Sequence, residues 1–169
     1  MLAVKDAKIS YAGVAGAVGA IVALLGIYAG WYRYQAPGTD FTLDATVFWA
    51  GDLALWASIA TFAFACAFIL FSDTGIRRAM GALMTVSAVV LLFATLFGFL
   101  RLHTAIADAV SGGALPAATG AVEGRAVGLY VTGLGAILAV AGGILTLAGD
   151  SGSDRSATVG DERREMDMK

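Results

Sequence analysis

The sequence predicts an all-α integral membrane protein, an antiparallel four-helix transmembrane bundle with both termini in the cytoplasm (N-in/C-in). Three observations carry this expectation. Four uncharged apolar stretches divide the chain, at Ile9–Tyr32, Leu53–Ser72, Ala79–Leu100 and Ala126–Gly149. Hydrophobic residues make up 59% of the 169 residues and charged residues 14%, with mean hydropathy +0.79, whereas a soluble domain carries about 25% charged residues. Lys and Arg are distributed unequally between the two sets of loops.

Crossing ~30 Å of hydrocarbon takes about 20 apolar residues at 1.5 Å each, and each stretch meets that length. Backbone polar groups in lipid must be satisfied within the segment, so each stretch is read as a helix, and none shows the period-two polarity of a barrel strand. The expected helices are 9–32, 46–72, 77–103 and 122–149. The first exceeds the 7–15 residues typical of a signal-peptide core and ends in Tyr28, Trp31, Tyr32 and Tyr34, so it is read as a retained span. Asp73, Thr74, Gly75 and Ile76 form a turn short enough to make the second and third helices antiparallel neighbours. The segment 33–44 holds Pro37, Gly38, Thr39 and Asp40, all turn residues. In 101–125, residues Leu102–Val110 extend the third helix, Ser111-Gly112-Gly113 breaks it, and the rest lies on the membrane surface, on a partner or in a plain loop. The last twenty residues, 150–169, carry six acids and four bases and are read as a disordered cytoplasmic tail.

Four crossings place Lys5, Lys8, Arg77, Arg78, Arg155, Arg163, Arg164 and Lys169 on one side and Arg33, Arg101 and Arg125 on the other. Eight against three predicts that the first side is cytoplasmic, in a cell membrane. Eight Arg against three Lys, in an Ala-, Gly- and Val-rich chain, suggests a prokaryotic plasma membrane.

Small residues form stripes. Ala12, Gly16, Gly19, Ala23, Gly26 and Gly30 recur in the first span at alternating spacings of four and three, as do Gly128, Thr132, Gly135, Ala139, Gly142, Thr146 and Gly149 in the last. A shorter stripe in the second span joins Gly51, Ala54, Ser58, Thr61 and Ala65. Each stripe occupies one helix face, and small faces let helices approach closely where lipid removes the hydrophobic drive. The first and fourth helices are therefore expected in contact, or one stripe against another subunit. The bulky face of Val18, Ile21, Leu25, Tyr28 and Tyr32 is expected to meet lipid or a neighbouring protein.

Chemical groups are few. Cys66 and His103 are the one cysteine and the one histidine, which excludes an internal disulfide and a Cys/His metal cluster within one chain. A lone His103 matches haem ligation poorly, and no cofactor is expected. Net charge −2 and pI ≈ 5.2 argue against a nucleic-acid partner. No phosphate loop, HExxH, GxSxG or CxxC is present, so no enzymatic activity is expected. Asp52 is read as the acid near a hydrophobic core, placed at the outer rim with Arg33 and Arg101 as pairing partners, or handling an ion or proton. Trp31, Trp49, Trp56, Phe41 and Phe48 read as an interfacial aromatic belt. The expected function is a non-catalytic accessory or assembly subunit of a membrane complex, joined to other transmembrane subunits or to itself through the small-residue faces. The alternative is a small oligomeric channel or transporter, its path lined by Ser58, Thr61, Thr85, Ser87 or Thr132. No soluble small-molecule substrate is indicated.

Overall fold

The computed structural model describes residues 11–71, 73–117 and 121–166, with side chains as far as residue 148. Helix α1 (Tyr11–Tyr28) leads into strands β1 (Tyr32–Ala36) and β2 (Thr39–Leu43). A 3-10 turn (Ala45–Val47) precedes α2 (Trp49–Leu70), and α3 (Thr74–Leu100) is followed by the short α4 (Leu102–Ser111). Strand β3 (Val122–Arg125) precedes α5 (Val127–Met166). The chain is mostly helical, and four helices are long and apolar enough to cross a membrane: α1, α2, α3 and the first 22 residues of α5, Val127–Ala148. The expectation that 150–169 is a disordered tail falls outside the residues whose side chains are described, and nothing in the fold bears on it.

The four long helices form a ring in which α1 touches α2 and α5, while α3 touches the same two from the opposite side. Asp73 starts α3 by accepting a hydrogen bond from the Ile76 amide at 3.0 Å, which satisfies one of the free donors of the first turn. The α1–α5 seam is the closest approach. A Cβ built on Gly19 would lie 2.5 Å from the Ala139 nitrogen and 2.7 Å from the Gly135 oxygen, and one on Gly135 would lie 2.6 Å from the Gly19 oxygen. A Cβ on Gly142 would meet the Gly16 nitrogen at 2.5 Å, and one on Gly26 the Gly128 oxygen at 2.7 Å. The matched residues descend along α5 as they ascend along α1, so the helices are antiparallel. Backbone faces backbone at every step, and Ala23 and Ala139 between the glycines are completely buried. Met84 fills the space beside Gly16.

Large side chains point the other way. Val18, Ile21, Leu25 and Tyr28 on α1 are exposed, as are Trp56 on α2, Phe93 on α3 and Ile137 on α5. A bundle with small residues inside and large apolar residues outside is stabilised by close packing, and its outer surface suits hydrocarbon rather than water.

The chain is mostly helical but not all-α, since β1, β2 and β3 form a three-stranded sheet, and several boundaries differ from the expected ones. Helix α1 stops at Tyr28 rather than at residue 32, because Gly30 adopts φ +82°, the left-handed conformation that ends a helix, and turns the chain into β1. Residues 46–48 stand before α2, residues 101–103 are split between two helices at Arg101, and residues 122–125 are strand rather than the start of the last helix. Tyr32, placed by the sequence reading on the outward face of the first helix, is 1% exposed in the sheet.

Replacing Gly19 or Gly135 by Ala forces the two backbones apart. A loss of about 2–3 kcal/mol, the scale of an overpacked core, is expected in thermal or denaturant unfolding in detergent. Gly38→Ala, with nothing within 4 Å of its Cβ, should cost only the strain of its φ of +83°.

Candidate functional site

A cluster of polar side chains gathers at one end of the bundle, on a cap built from the α1–α2 and α3–α5 connections. Residues Tyr32, Arg33, Tyr34 and Gln35 alternate inward and outward, as strand geometry requires, so both tyrosines are buried and Arg33 and Gln35 are exposed. Pro37 and Gly38 turn the chain, and β2 returns antiparallel with Phe41 opposite Tyr34 and Leu43 opposite Tyr32. Strand β3 pairs with the other edge of β1, giving the order β2-β1-β3. The ladder extends one residue towards the bundle, where the Trp31 amide donates to the Leu43 carbonyl at 2.9 Å and the Ala126 amide to the Trp31 carbonyl at 2.8 Å. Helix α4 lays Leu102, Ile106 and Ala109, one helical face, into the same core.

Three side chains lock this cap to the helices. Trp31 is completely buried, and its Nε1 donates to the Thr132 hydroxyl of α5 at 3.1 Å. That hydroxyl donates in turn to the Gly128 carbonyl at 2.8 Å. The Tyr32 hydroxyl donates to the Gly98 carbonyl at 2.7 Å, and Arg125 donates from Nε and an Nη to the Phe99 carbonyl at 3.2 and 3.1 Å. Gly98 and Phe99 lie in the last turn of α3, where carbonyls lack partners in their own helix. The break at Arg101 is thus satisfied from the cap. Arg125 also stacks 4.1 Å over the Phe99 ring, and burial pushes the Tyr32 phenol up to about 12. Farther out, the Tyr34 hydroxyl donates to the Pro116 carbonyl at 2.9 Å, and His103 Nδ1 lies 2.6 Å from a Glu123 carboxylate oxygen, joining α4 to β3.

The expected ionic cluster does not assemble. Arg33 pairs with Asp40 across the hairpin, and Gln35 donates to the same carboxylate at 3.2 Å. The hydrogen bond from Arg33 holds the Asp40 carboxyl below its ordinary range, with the Gln35 bond assisting. Arg101 lies 5.0 Å over the Phe97 ring. Asp52 is exposed in the first turn of α2, where the helix dipole favours an acid, and no ion pair links it to Arg33 or Arg101 among the described residues. The hairpin register places Arg33 beside β2, so a residue on α2 is displaced by one only seven positions away. Trp31 is core rather than belt, while Trp49 and Trp56 are exposed. The small residues Gly16, Gly19, Ala23, Gly26, Gly128, Gly135, Ala139 and Gly142 meet across the α1–α5 seam, and the Gly30 carbonyl faces Gly128. Ser58, Thr61 and Thr132 are completely buried, with hydroxyls bonded to carbonyls one turn back. Thr85 does the same on α3, and Ser87 accepts from Thr61 at 2.9 Å.

Sequence reasoning passed over Tyr32, Tyr34, Asp40, Glu123 and Arg125. For Tyr32, Tyr34 and Asp40 the signal was the alternation on either side of Pro37-Gly38, only five residues per strand and hidden beside a long apolar run, while Glu123 and Arg125 in β3 carried none.

Two concavities adjoin the junction. One, about 210 Å³, is lined by Phe48 and Trp49 from the start of α2, Phe97 and Arg101 from the end of α3, and Thr104 and Asp108 from α4. The other, about 330 Å³, is an apolar groove between α3 and α5 with Gly133 and Thr95 among its lining residues. No group of acids, histidine and cysteine suited to a metal occurs among the described residues. No protein-family model matches the chain, and neither does any curated protein or solved structure.

Tyr32→Phe leaves a buried carbonyl short of its donor and should lower unfolding stability by about 1–3 kcal/mol. Because the folded state raises the Tyr32 pKa, its stabilising effect is complete below about pH 10 and is lost as pH rises through about 12. Ultraviolet phenolate titration of the parent against Tyr32→Phe reads this directly. Asp40 has the opposite sign: its pairing stabilises the hairpin above the ordinary carboxylate range near 3.8 and fades as pH falls through its depressed pKa. The Tm difference between parent and Asp40→Asn should therefore close in acid.

Proposed function

We propose that this chain is a non-catalytic multi-pass protein of a cell membrane, acting as an accessory or assembly subunit that docks onto other transmembrane helices. The observation that carries this reading is the groove between α3 and α5. Its walls are Leu92, Leu96, Leu134 and Ile137, all apolar. A Cβ on Gly133 would meet only the Thr95 methyl, at 3.7 Å, so Gly133 has room where the other described glycines of α5 are closed by neighbouring atoms. It is a hole of the kind that a side chain from a neighbouring helix enters in membrane packing. The docking surface proposed here differs from the stripes singled out in the sequence, because the α1 and α5 stripes are occupied by each other.

In this reading both termini are cytoplasmic and the cap lies outside the cell, supported by the excess of Lys and Arg on the side of Arg77 and Arg78. An oligomeric channel has less support. Ser58, Thr61 and Thr132 are turned into the bundle and bonded to carbonyls, which leaves them away from any path between subunits.

Gly133→Leu fills the groove without entering the α1–α5 seam, whereas Gly135→Leu breaks the seam. In mild detergent the parent should migrate above its monomer mass. Gly133→Leu should weaken assembly by roughly tenfold, the factor that corresponds to 1.4 kcal/mol, at unchanged Tm. A partnerless monomeric parent, or an assembly untouched by Gly133→Leu, overturns the proposal.

A further inference from the structure

We infer that the cleft at the α2–α3–α4 junction binds the headgroup of a zwitterionic phospholipid with a terminal amine, of the phosphatidylethanolamine class. The inference rests on the reading of the four apolar helices as membrane spans. Trp49, Phe97 and Phe93 form a ladder of rings down the outside of the bundle, with centroids 4.8 and 6.4 Å apart. Trp49 and Phe93 are each 59% exposed, so this surface faces hydrocarbon. At the head of the ladder the Arg101 guanidinium lies 5.0 Å over Phe97, and no carboxylate pairs with it among the described residues. Asp108 follows about two turns farther along α4, and Thr104 lies between them on the same helix face.

Along α4 from its junction with α3, the order is rings, cation, hydroxyl, carboxylate. An amine-terminated phospholipid presents acyl chain, phosphate and ammonium in the same order. Arg101 meets the phosphate, Asp108 the ammonium, and the acyl chain lies along the rings. A volume of about 210 Å³ accommodates a headgroup and not a whole lipid, as expected if the chain stays outside. A lipid with a glycerol headgroup gives Asp108 no cation and sets its own negative charge near that carboxylate. Basic pockets beside membrane helices commonly hold lipid phosphates, and the added acid supplies the headgroup preference. The charged groups facing the cleft come from the α3–α4 junction and α4; Val47 and Phe48 before α2, and Trp49 at its start, contribute uncharged walls.

Trp49 reports on the site. The full chain carrying Trp56→Phe, whose other tryptophan Trp31 is completely buried, is reconstituted in phosphatidylglycerol vesicles. Phosphatidylethanolamine or phosphatidylglycerol brominated on the acyl chain is then added as quencher. Brominated phosphatidylethanolamine should quench Trp49 at a roughly fivefold lower mole fraction, the factor that corresponds to one partly exposed charged contact. Asp108→Asn should bring the two lipids to parity, and Arg101→Gln should raise the phosphatidylethanolamine fraction required by a similar factor. Asp52→Asn, outside the cleft, should change nothing. Equal quenching by the two lipids in the parent overturns the proposal, as does a preference that survives Asp108→Asn. Displacement by inorganic phosphate would assign the cleft to a free anion and overturn the lipid. Failure of both lipids to reach Trp49 would overturn the membrane reading itself, which equal quenching would leave standing.

Discussion

The contact between the backbones of α1 and α5 is the constraint on which the rest of the molecule depends. Gly19, Gly26, Gly135 and Gly142 leave no room for a side chain, so carbonyl and amide atoms of one helix sit directly against the other. Where water does not drive apolar surfaces together, dispersion over such a seam is the available cohesion, and it falls away steeply with added distance. The seam also brings the end of α1 against the start of α5, with Gly128 beside the last α1 carbonyls. Strand β1 leaves one of these helix ends and strand β3 enters the other, so their pairing follows from the seam.

Trp31 carries that constraint into the cap. It lies one residue beyond Gly30, where the chain changes from helix to strand, and its indole reaches Thr132 one turn into α5. A Cβ on Gly98 would lie 2.6 Å from the Trp31 ring, so α3 also depends on a small residue at this level. The cap is therefore an extension of the core: Tyr32, Leu43, Leu102, Ile106 and Leu115 continue the buried cluster that begins with Ala23 and Ile27. The break between α3 and α4 belongs to the same arrangement. It leaves carbonyls that Tyr32 and Arg125 satisfy, and it starts a new helix on which Asp108 comes to share one cleft with Arg101.

The distribution of polar groups separates two kinds of surface. The hydroxyls of Ser58, Thr61 and Thr132 are buried and bonded to their own helix backbones, while large apolar side chains and the groove at Gly133 face outward. Charged side chains with room for another partner, Arg101 and Asp108, line the cleft beside the cap. The proposed roles follow this division, with a helix partner at the groove and a lipid headgroup at the junction.

The amino-acid pattern by itself determined the four long helices, because twenty consecutive apolar residues have few other solutions, and the four-and-three spacing of small residues marked the faces that meet. It also marked the turn at Pro37-Gly38 and the break before Ser111-Gly112-Gly113. Only the tertiary structure decided what Trp31, Tyr32 and Arg33 do. Each is consistent with a helix end at an interface, and a five-residue alternation cannot overrule a long hydrophobic run when read locally. The partner that settles them, β3, lies about ninety residues away in a segment of Ala, Gly, Ser and Thr with no strand signature of its own. Pairing across that distance is a property of two helices already packed, which brings the edges of β1 and β3 within hydrogen-bonding reach.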